Sequence, residues 1–365
     1  MVDIFSYTSS LYGRKRKRNK SIGTFKSCIL YIPLEALITM WLQARLYILV
    51  GLMFAILYGI LVGIGYYLHI SGFMFYLLII GVAAGFVLLQ YAIGPKIVEW
   101  SMRVKYVSEQ EYPKLHQMVA ELAQKAGLPN TPRIGISQLP IPNAFAFGRT
   151  KKGSRVCVTK GLLELLNEDE LKAVLGHEIS HIKHRDVAVI TILSVIPMIC
   201  YMIYVSFLWG GIGRRDRDSG GAIAIGILAL VIYFITSLLV MYGSRIREYY
   251  ADQGSAELGN QPHYLATALY KLTVSTARIP KHALKQTEGM KAFFINDPSR
   301  ALYEIRELKD IDLDMSGTID QNELMMLSTK KINLKTGDKL LEVLSTHPNT
   351  VKRIKHLASL STNLN

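Results

Sequence analysis

The pentad His177-Glu178-Ile179-Ser180-His181 holds the side chains of this chain best suited to activating water. On an α-helix, positions four apart lie ~40° apart around the axis and ~6 Å along it, so both imidazoles reach one tetrahedral metal ion. Glu178 stands beside the pair and outside the ligand set, where a carboxylate takes a proton from an attacking water and passes it to a leaving amine. With nine histidines in 365 residues, such a pentad arises by chance about once in a hundred chains of this composition. The plain alternative is two helix-face histidines satisfied by backbone or water, a reading that leaves Glu178 without a role. The expectation is one zinc ion per chain.

A third protein ligand must come from elsewhere. A histidine at 187 would complete one common continuation of the pentad, but that position is Val187. His184 lies about a turn past His181, its ring ~10 Å along the axis from that of His177, too far to share the ion and better suited to a membrane boundary. Glu248, in Glu248-Tyr249-Tyr250-Ala251-Asp252, is the best candidate. Carboxylates four apart share a helix face, so Glu248 can ligate while Asp252 accepts the N–H of a ligand histidine. The competing reading is a solvated acidic turn, with Arg245 and Arg247 pairing the acids.

The elements that must position these groups are legible too. Asn167 before Glu168-Asp169-Glu170 is a helix start with a capping side chain, an acidic first turn and a carboxylate able to reach back to the cap. Upstream, the apolar spacing of Glu109 to Ala126 predicts an amphipathic helix closed by Gly127 and Pro129. Arg133 to Gln138, Ala144 to Gly148 and Arg155 to Thr159 read as strands of a small sheet.

Half of the residues are hydrophobic, and the excess is concentrated in Leu46 to Leu68, Met74 to Ile93, Val187 to Gly210 and Ala222 to Met241. These segments lack Asp, Glu, Lys and Arg, and each meets the ~20 residues a bilayer crossing needs. The expected fold class is α+β and mostly helical, with about four transmembrane helices. The organisation is a basic or interfacial segment (1–45), a membrane hairpin (46–93), a core with the sheet and the pentad (94–186), a second membrane hairpin (187–243) and a second part of the core (244–365). His181 directly precedes the second hairpin and Glu248 directly follows it, so a chain that enters the membrane and returns brings the ligands together. Arg214, Arg215 and Arg217 at the hairpin's turn run against the positive-inside rule, softened by Asp216 and Asp218; a hairpin that does not fully cross is the alternative.

The net charge of +14 and the run Arg14-Lys15-Arg16-Lys17-Arg18-Asn19-Lys20 read as a topology signal touching anionic lipid, with Lys96, Arg103 and Lys105 as a second cytoplasmic flank, rather than as a nucleic-acid site. Residues 23–44, interrupted by Lys26, Pro33 and Glu35, read as interfacial. No cleavable signal peptide is expected. Cys28, Cys157 and Cys200 lack a metal-binding or redox spacing and read as unpaired thiols.

These residues resemble HtpX, the heat-shock-type family of membrane zinc proteases, and more distantly the CaaX prenyl proteases. The resemblance covers Lys96 to about Asp252 and Leu340 to Leu357. It is carried by Asn143-Ala144-Phe145-Ala146, Gly176-His177-Glu178-Ile179-Ser180-His181, Glu248 with Ala251-Asp252, and Ser345-Thr346-His347-Pro348 with Arg353-Ile354. It implies a gluzincin-type core with two His and one Glu on zinc, cutting misfolded or membrane polypeptides on the cytoplasmic side of a multi-pass cell-membrane protein. It also implies that Asn143, Ala144, Phe145 and Ala146 form an edge strand along which substrate adds, that His347 stabilises an oxyanion, and that Arg353 steadies the ligand carboxylate. The runner-up is a CaaX-type prenyl protease.

One stretch departs from that pattern. Residues 312–323 fit a calcium-binding EF-hand loop, with oxygen donors Asp312, Asp314, Ser316, Asp320 and Glu323 at positions one, three, five, nine and twelve, Thr318 at seven and Gly317 at six. Its expected helical flanks are Ser299 to Lys309 and Glu323 to Lys330, and no second hand is visible in the sequence. An acidic turn capping two helices is the other reading. A calcium-responsive membrane scaffold with an inactive metal site is the corresponding non-enzymatic reading of the whole chain.

Overall fold

The structure is a computed structural model that describes residues 73–212, 219–280, 294–296, 300–308, 311–329 and 341–361, together with 45, 48, 49, 52, 53, 55, 56, 59 and 60. The basic run 14–20, the interfacial segment 23–44, Cys28, much of the first apolar segment and the arginine-bearing turn 213–218 lie outside the described residues.

Apolar length dictates the first element. Helix α1 (Phe73–Ser101) contains the second expected membrane segment and continues past it into Lys96 and Glu99. Strand β1 (Val104–Tyr106) then pairs antiparallel with β2 (Arg133–Ser137), a partner that the sequence did not announce. Between them α2 (Pro113–Lys125) starts on its proline and is followed by Gly127 in the left-handed region. It is four residues shorter at its start than its apolar spacing predicts, because Pro113 fits the first helical position, where no amide bond is missed. Strand β3 (Ala144–Phe147) pairs antiparallel with β4 (Arg155–Thr159), which runs parallel to β2, so the order is β1-β2-β4-β3 with β3 at one edge.

Both faces of this sheet are covered. Ile134, Ile136, Ala144, Val156 and Val158 belong to the main core with α2 and the pentad helix, whereas Phe145, Phe147 and Cys157 pack on Val98 and Met102 at the end of α1. The two described cysteines, Cys157 and Cys200, are buried free thiols.

After the short helix α3 (Lys160–Leu165), the pentad helix α4 (Glu168–His184) begins on a reciprocal cap: Glu170 N–H donates to Asn167 Oδ1 at 2.9 Å, and Asn167 N–H donates to the Glu170 carboxylate at 3.1 Å. It ends at Arg185, whose φ of 58° is left-handed, so the chain turns before starting α5 (Asp186–Ile212). That turn folds Asp186 back towards His181.

Helix α6 (Ser219–Glu257) is 39 residues long, ~58 Å at 1.5 Å per residue, about twice the ~30 Å hydrocarbon thickness. Its apolar half corresponds to the fourth expected segment; the same helix then continues beyond Met241 and carries Glu248 and Asp252. Segments Asp186–Phe207 and Ile223–Glu257 are long and apolar enough to cross a membrane. Their outward surfaces present Ile192, Ile227, Leu228, Val231 and Phe234, the surface expected of a helix solvated by lipid. Leu49 and Met53, from the described part of the first apolar segment, pack on Leu193 and Ile196 of α5. The remaining elements are α7 (Pro262–Ala277), α8 (Ala301–Leu308), α9 (Gln321–Thr329) and α10 (Thr350–Ser361).

The pentad helix meets α6 at very close range. A Cβ added at Gly254 would lie 2.0 Å from Ser180 Oγ and 2.7 Å from its Cβ, and one at Gly176 would lie 2.3 Å from Asn260 Nδ2 and 2.8 Å from Ser255 Oγ. The Ser255 hydroxyl in turn donates to the Ala173 carbonyl at 2.7 Å. Because Ser180 Cβ cannot swing away as a side-chain tip can, Gly254→Ala must push the helices apart. That substitution is expected to destabilise the fold by about 1–3 kcal/mol, read as a lower unfolding midpoint together with earlier zinc release. An unchanged midpoint would show that the helices do not approach here.

Candidate metal centre

The close helix contact sets the positions of the three ligand candidates. Pairings of 176 with 255, 180 with 254 and 184 with 247 show that α4 and α6 run in opposite senses, which sets Glu248 opposite the pentad. His177 Nε2 and His181 Nε2 lie 3.1 Å apart. Glu248 Oε2 is 3.6 Å from the first and Glu248 Oε1 is 3.5 Å from the second. One donor atom from each of the three residues falls within 4.8 Å of the others.

The outer ring nitrogens explain why the inner ones converge. His177 Nδ1 is 3.0 Å from Asp252 Oδ1, and His181 Nδ1 is 2.6 Å from Asp186 Oδ2. Each Nδ1–H donating to a carboxylate fixes the tautomer and leaves the Nε2 lone pair for a metal. Asp252 therefore stands where its spacing from Glu248 suggested. Asp186 is the partner that sequence reasoning missed; its signal was a single acid at the head of an apolar segment, five residues after His181. Arg247 pairs with Asp186, and Arg245 donates to the carbonyls of Glu342, Val343 and Ser345. Neither arginine neutralises Glu248 or Asp252, so the solvated-turn reading of that segment fails.

The cation that does so is Arg353 of α10. It is fully buried and grips Asp252 with two nitrogens, Nε to Oδ2 at 3.0 Å and Nη2 to Oδ1 at 2.6 Å. Its Nη1 donates to the Ile295 carbonyl at 2.7 Å and lies 3.1 Å from Glu248 Oε2. His347 Nε2 is 4.0 Å from the other oxygen, Glu248 Oε1. His184 ends α4, with its Nδ1 3.2 Å from Ser180 Oγ and its ring beside Tyr250, away from the ligand group.

The donor set fits a divalent metal. Glu248 Oε2 is buried with no hydrogen-bond partner; Arg353 approaches as a charge without hydrogen-bond geometry, so the oxygen keeps its lone pairs. Electrostatics point the same way. Burial alone would raise the Glu248 carboxyl, yet Arg353, His347 and His177 hold it well below the usual carboxylate range. Burial works to lower His177, but the hydrogen bond to Asp252 and the Glu248 carboxylate 3.6 Å away raise it to about 9. Burial and then the His177 charge push His181 down to about 4. The carboxylates thus demand a positive charge between the rings, and a metal ion takes the place of that proton on binding.

Glu178 is buried beside the cluster, and burial raises its carboxyl, opposed by the neighbouring imidazoles and by a hydrogen bond from the Ala146 backbone. The edge strand therefore touches Glu178 directly. A groove lined by Ala146, Phe147, His181, Ile182 and Asp186 runs alongside. Asn143 has another engagement: its Oδ1 accepts the Ile295 N–H at 3.0 Å and its own N–H donates to Thr159 Oγ1 at 2.8 Å, which ties the start of β3 to the segment held by Arg353. Asp312, Asp314 and Glu323 gather at a separate place in the fold.

Comparison with known proteins agrees with this geometry. The description of Peptidase family M48 matches residues 109–361. A Protease HtpX homolog of Methanothermobacter thermautotrophicus is 52% identical over 241 residues, covering 66% of this chain and 89% of that protein. Another from Pyrococcus furiosus is 36% identical over 322 residues, 87% of this chain and 96% of that one. The crystal structure of S. mikatae Ste24p superposes with a TM-score of 0.48 at 15% identity, covering 89% of this chain and 65% of that one, a likeness too distant to carry an argument.

The carboxylates behind the rings provide a direct check. Asp186→Asn and Asp252→Asn are each expected to weaken zinc binding about 10–100-fold, measured by competition with a chromophoric chelator on the full-length protein in detergent. Wild-type affinity in Asp186→Asn would remove that residue from the site.

Proposed function

This chain belongs to peptidase family M48, and from that premise we propose that it is a membrane-bound zinc endopeptidase acting on misfolded or membrane polypeptides, with His177, His181 and Glu248 as zinc ligands. The observation that supports this reading best is the convergence of those three donors within 4.8 Å, next to a buried carboxylate that is not among them. A zinc ion bound there supplies a Lewis acid that makes water nucleophilic near neutral pH and polarises the scissile carbonyl.

The chain's own groups do the rest. Glu178 accepts the proton of the attacking water and returns it to the leaving nitrogen; a carboxyl raised by burial is better suited to both halves of that task than a solvated one. His347 has its Nδ1 3.0 Å from the Thr346 hydroxyl, and with that hydroxyl donating, the ring carries its proton on Nε2, the atom that would stabilise the oxyanion. Arg353 and Asp252 hold His177 and Glu248 in place, as Asp186 holds His181. An extended polypeptide adds along the open edge of β3, Ala144–Phe147, where backbone hydrogen bonds tolerate many sequences, and Ala146 brings that edge to Glu178. Asn143 supports this strand from behind.

The charges that flank the apolar segments support a location for this chemistry. We read the chain as multi-pass, with the catalytic part in the cytoplasm, because Lys96 lies in the last turns of α1 and Arg103 and Lys105 follow it, while Lys183, Arg185, Arg245 and Arg247 flank the catalytic ends of α5 and α6. Substrates would then reach the site from the cytoplasm or from the bilayer surface.

Glu178→Gln is expected to keep one zinc per chain and to lower the rate of casein cleavage about 10²–10⁴-fold. Full activity in that variant would reassign the base. Preferential cutting of a prenylated peptide over casein would instead favour the CaaX-type reading of the same centre.

A further inference from the structure

We propose that the loop 312–323, docked on α7, is a single calcium site independent of the catalytic centre. The loop joins α8 to α9, and its backbone already has the shape that the spacing asks for: Met315 and Gly317 have φ of 57° and 79°. Asp312, Asp314 and Glu323 each bring a carboxylate oxygen within 4.8 Å of the others. Asp320 caps α9, accepting the Glu323 N–H at 2.7 Å. Among the described residues no lysine or arginine forms an ion pair with any of these four carboxylates.

A cluster of acids alone would not identify a ligand; the buried Asp312 does. Only 6% of it is exposed. Its Oδ2 accepts the Gly317 N–H at 3.0 Å and the Tyr270 hydroxyl at 2.8 Å, whereas its Oδ1 is buried with no hydrogen-bond partner. A buried carboxylate oxygen in that condition is costly unless a cation takes it. Glu323, also buried, accepts the Leu313 N–H at 2.7 Å and the Asp314 N–H at 3.5 Å on Oε1 and the Asp320 N–H at 3.0 Å on Oε2, which fixes its orientation and leaves a lone pair on Oε2. The donors are all oxygens, with the Thr318 carbonyl available at position seven. That set suits calcium, which takes six to eight oxygens in flexible geometry, better than magnesium or zinc.

The lack of a second hand is met within the fold. Thr267 Oγ1 accepts the Ile319 N–H at 3.0 Å and donates to the Ile319 carbonyl at 2.9 Å, so one hydroxyl satisfies both backbone groups at the middle of the loop. Thr267 and Tyr270 lie on α7, whose Lys271 binds the Glu170 carboxylate that caps the pentad helix. A cation in the loop therefore stiffens the same helix that braces the start of α4.

The test uses full-length, zinc-loaded protein in neutral detergent, freed of calcium and titrated with calcium chloride by calorimetry, with the unfolding midpoint followed in parallel. We expect one calcium per chain and a midpoint rise of about 3–8 °C at a hundredfold excess over Kd, with magnesium giving much less. Asp314→Ala, at an exposed position, and Glu323→Gln should each weaken binding about tenfold or more while zinc content stays at one per chain. No heat and no midpoint shift up to about 10 mM calcium would overturn the proposal. So would wild-type calcium affinity in Asp314→Ala and Glu323→Gln together, because the ion would then be bound elsewhere.

Discussion

The close approach of α4 and α6 is the constraint on which everything else rests. At Gly254 and Gly176 the opposing helix leaves no room for a methyl group, and only at that separation can a carboxylate on one helix meet two imidazoles on the other. Larger residues would still permit two packed helices, with the ordinary ~8–10 Å between axes, but with the ligands too far apart to share an ion. The length of α6 follows from the same need: it must leave the apolar layer and continue as one rigid rod to present Glu248.

A buried charge network then holds the geometry. Arg353 lies between Asp252 and Glu248 and ties them to the backbone at Ile295, so α10, from the far end of the sequence, completes a site begun at residue 177. Burying so many charges is favourable only when each finds a partner; Arg353 and Arg247 provide two of them, and a metal ion held by His177, His181 and Glu248 would provide the third. Asn143 extends the tie to the edge strand by accepting the Ile295 amide. The edge of β3, Glu178 and the group of His177, His181 and Glu248 are thereby fixed to one another by side chains from four separate stretches of chain.

Much of this was legible in the sequence because it is local. The reciprocal cap at Asn167, the strands from Arg133, Ala144 and Arg155, the apolar segments and the pairing of Glu248 with Asp252 across one helical turn all follow from spacings of a few residues. What was not legible depends on contacts across the fold. Strand β1 is short and half-buried, and only its pairing with β2 identifies it. Asp186 looks like an ordinary acid until the left-handed turn at Arg185 folds it against His181. Asp252 was expected to accept the N–H of a ligand histidine, and His177 Nδ1 lies 3.0 Å from it; the cation that also grips it, Arg353, is 101 residues away, and the family resemblance, not any local pattern, pointed to that residue. The loop at 312–323 could be read by spacing, but its unpartnered oxygen and its support by Thr267 are visible only in three dimensions.

Zinc-edge X-ray absorption on the full-length protein tests the central claim most directly. Convergence of the two helices predicts a sulfur-free shell with two imidazole nitrogens at ~2.0–2.1 Å and light oxygen ligands beside them, altered by Glu248→Ala with the imidazole contribution retained. A spectrum indifferent to Glu248→Ala, or one with sulfur at ~2.3 Å, would contradict it.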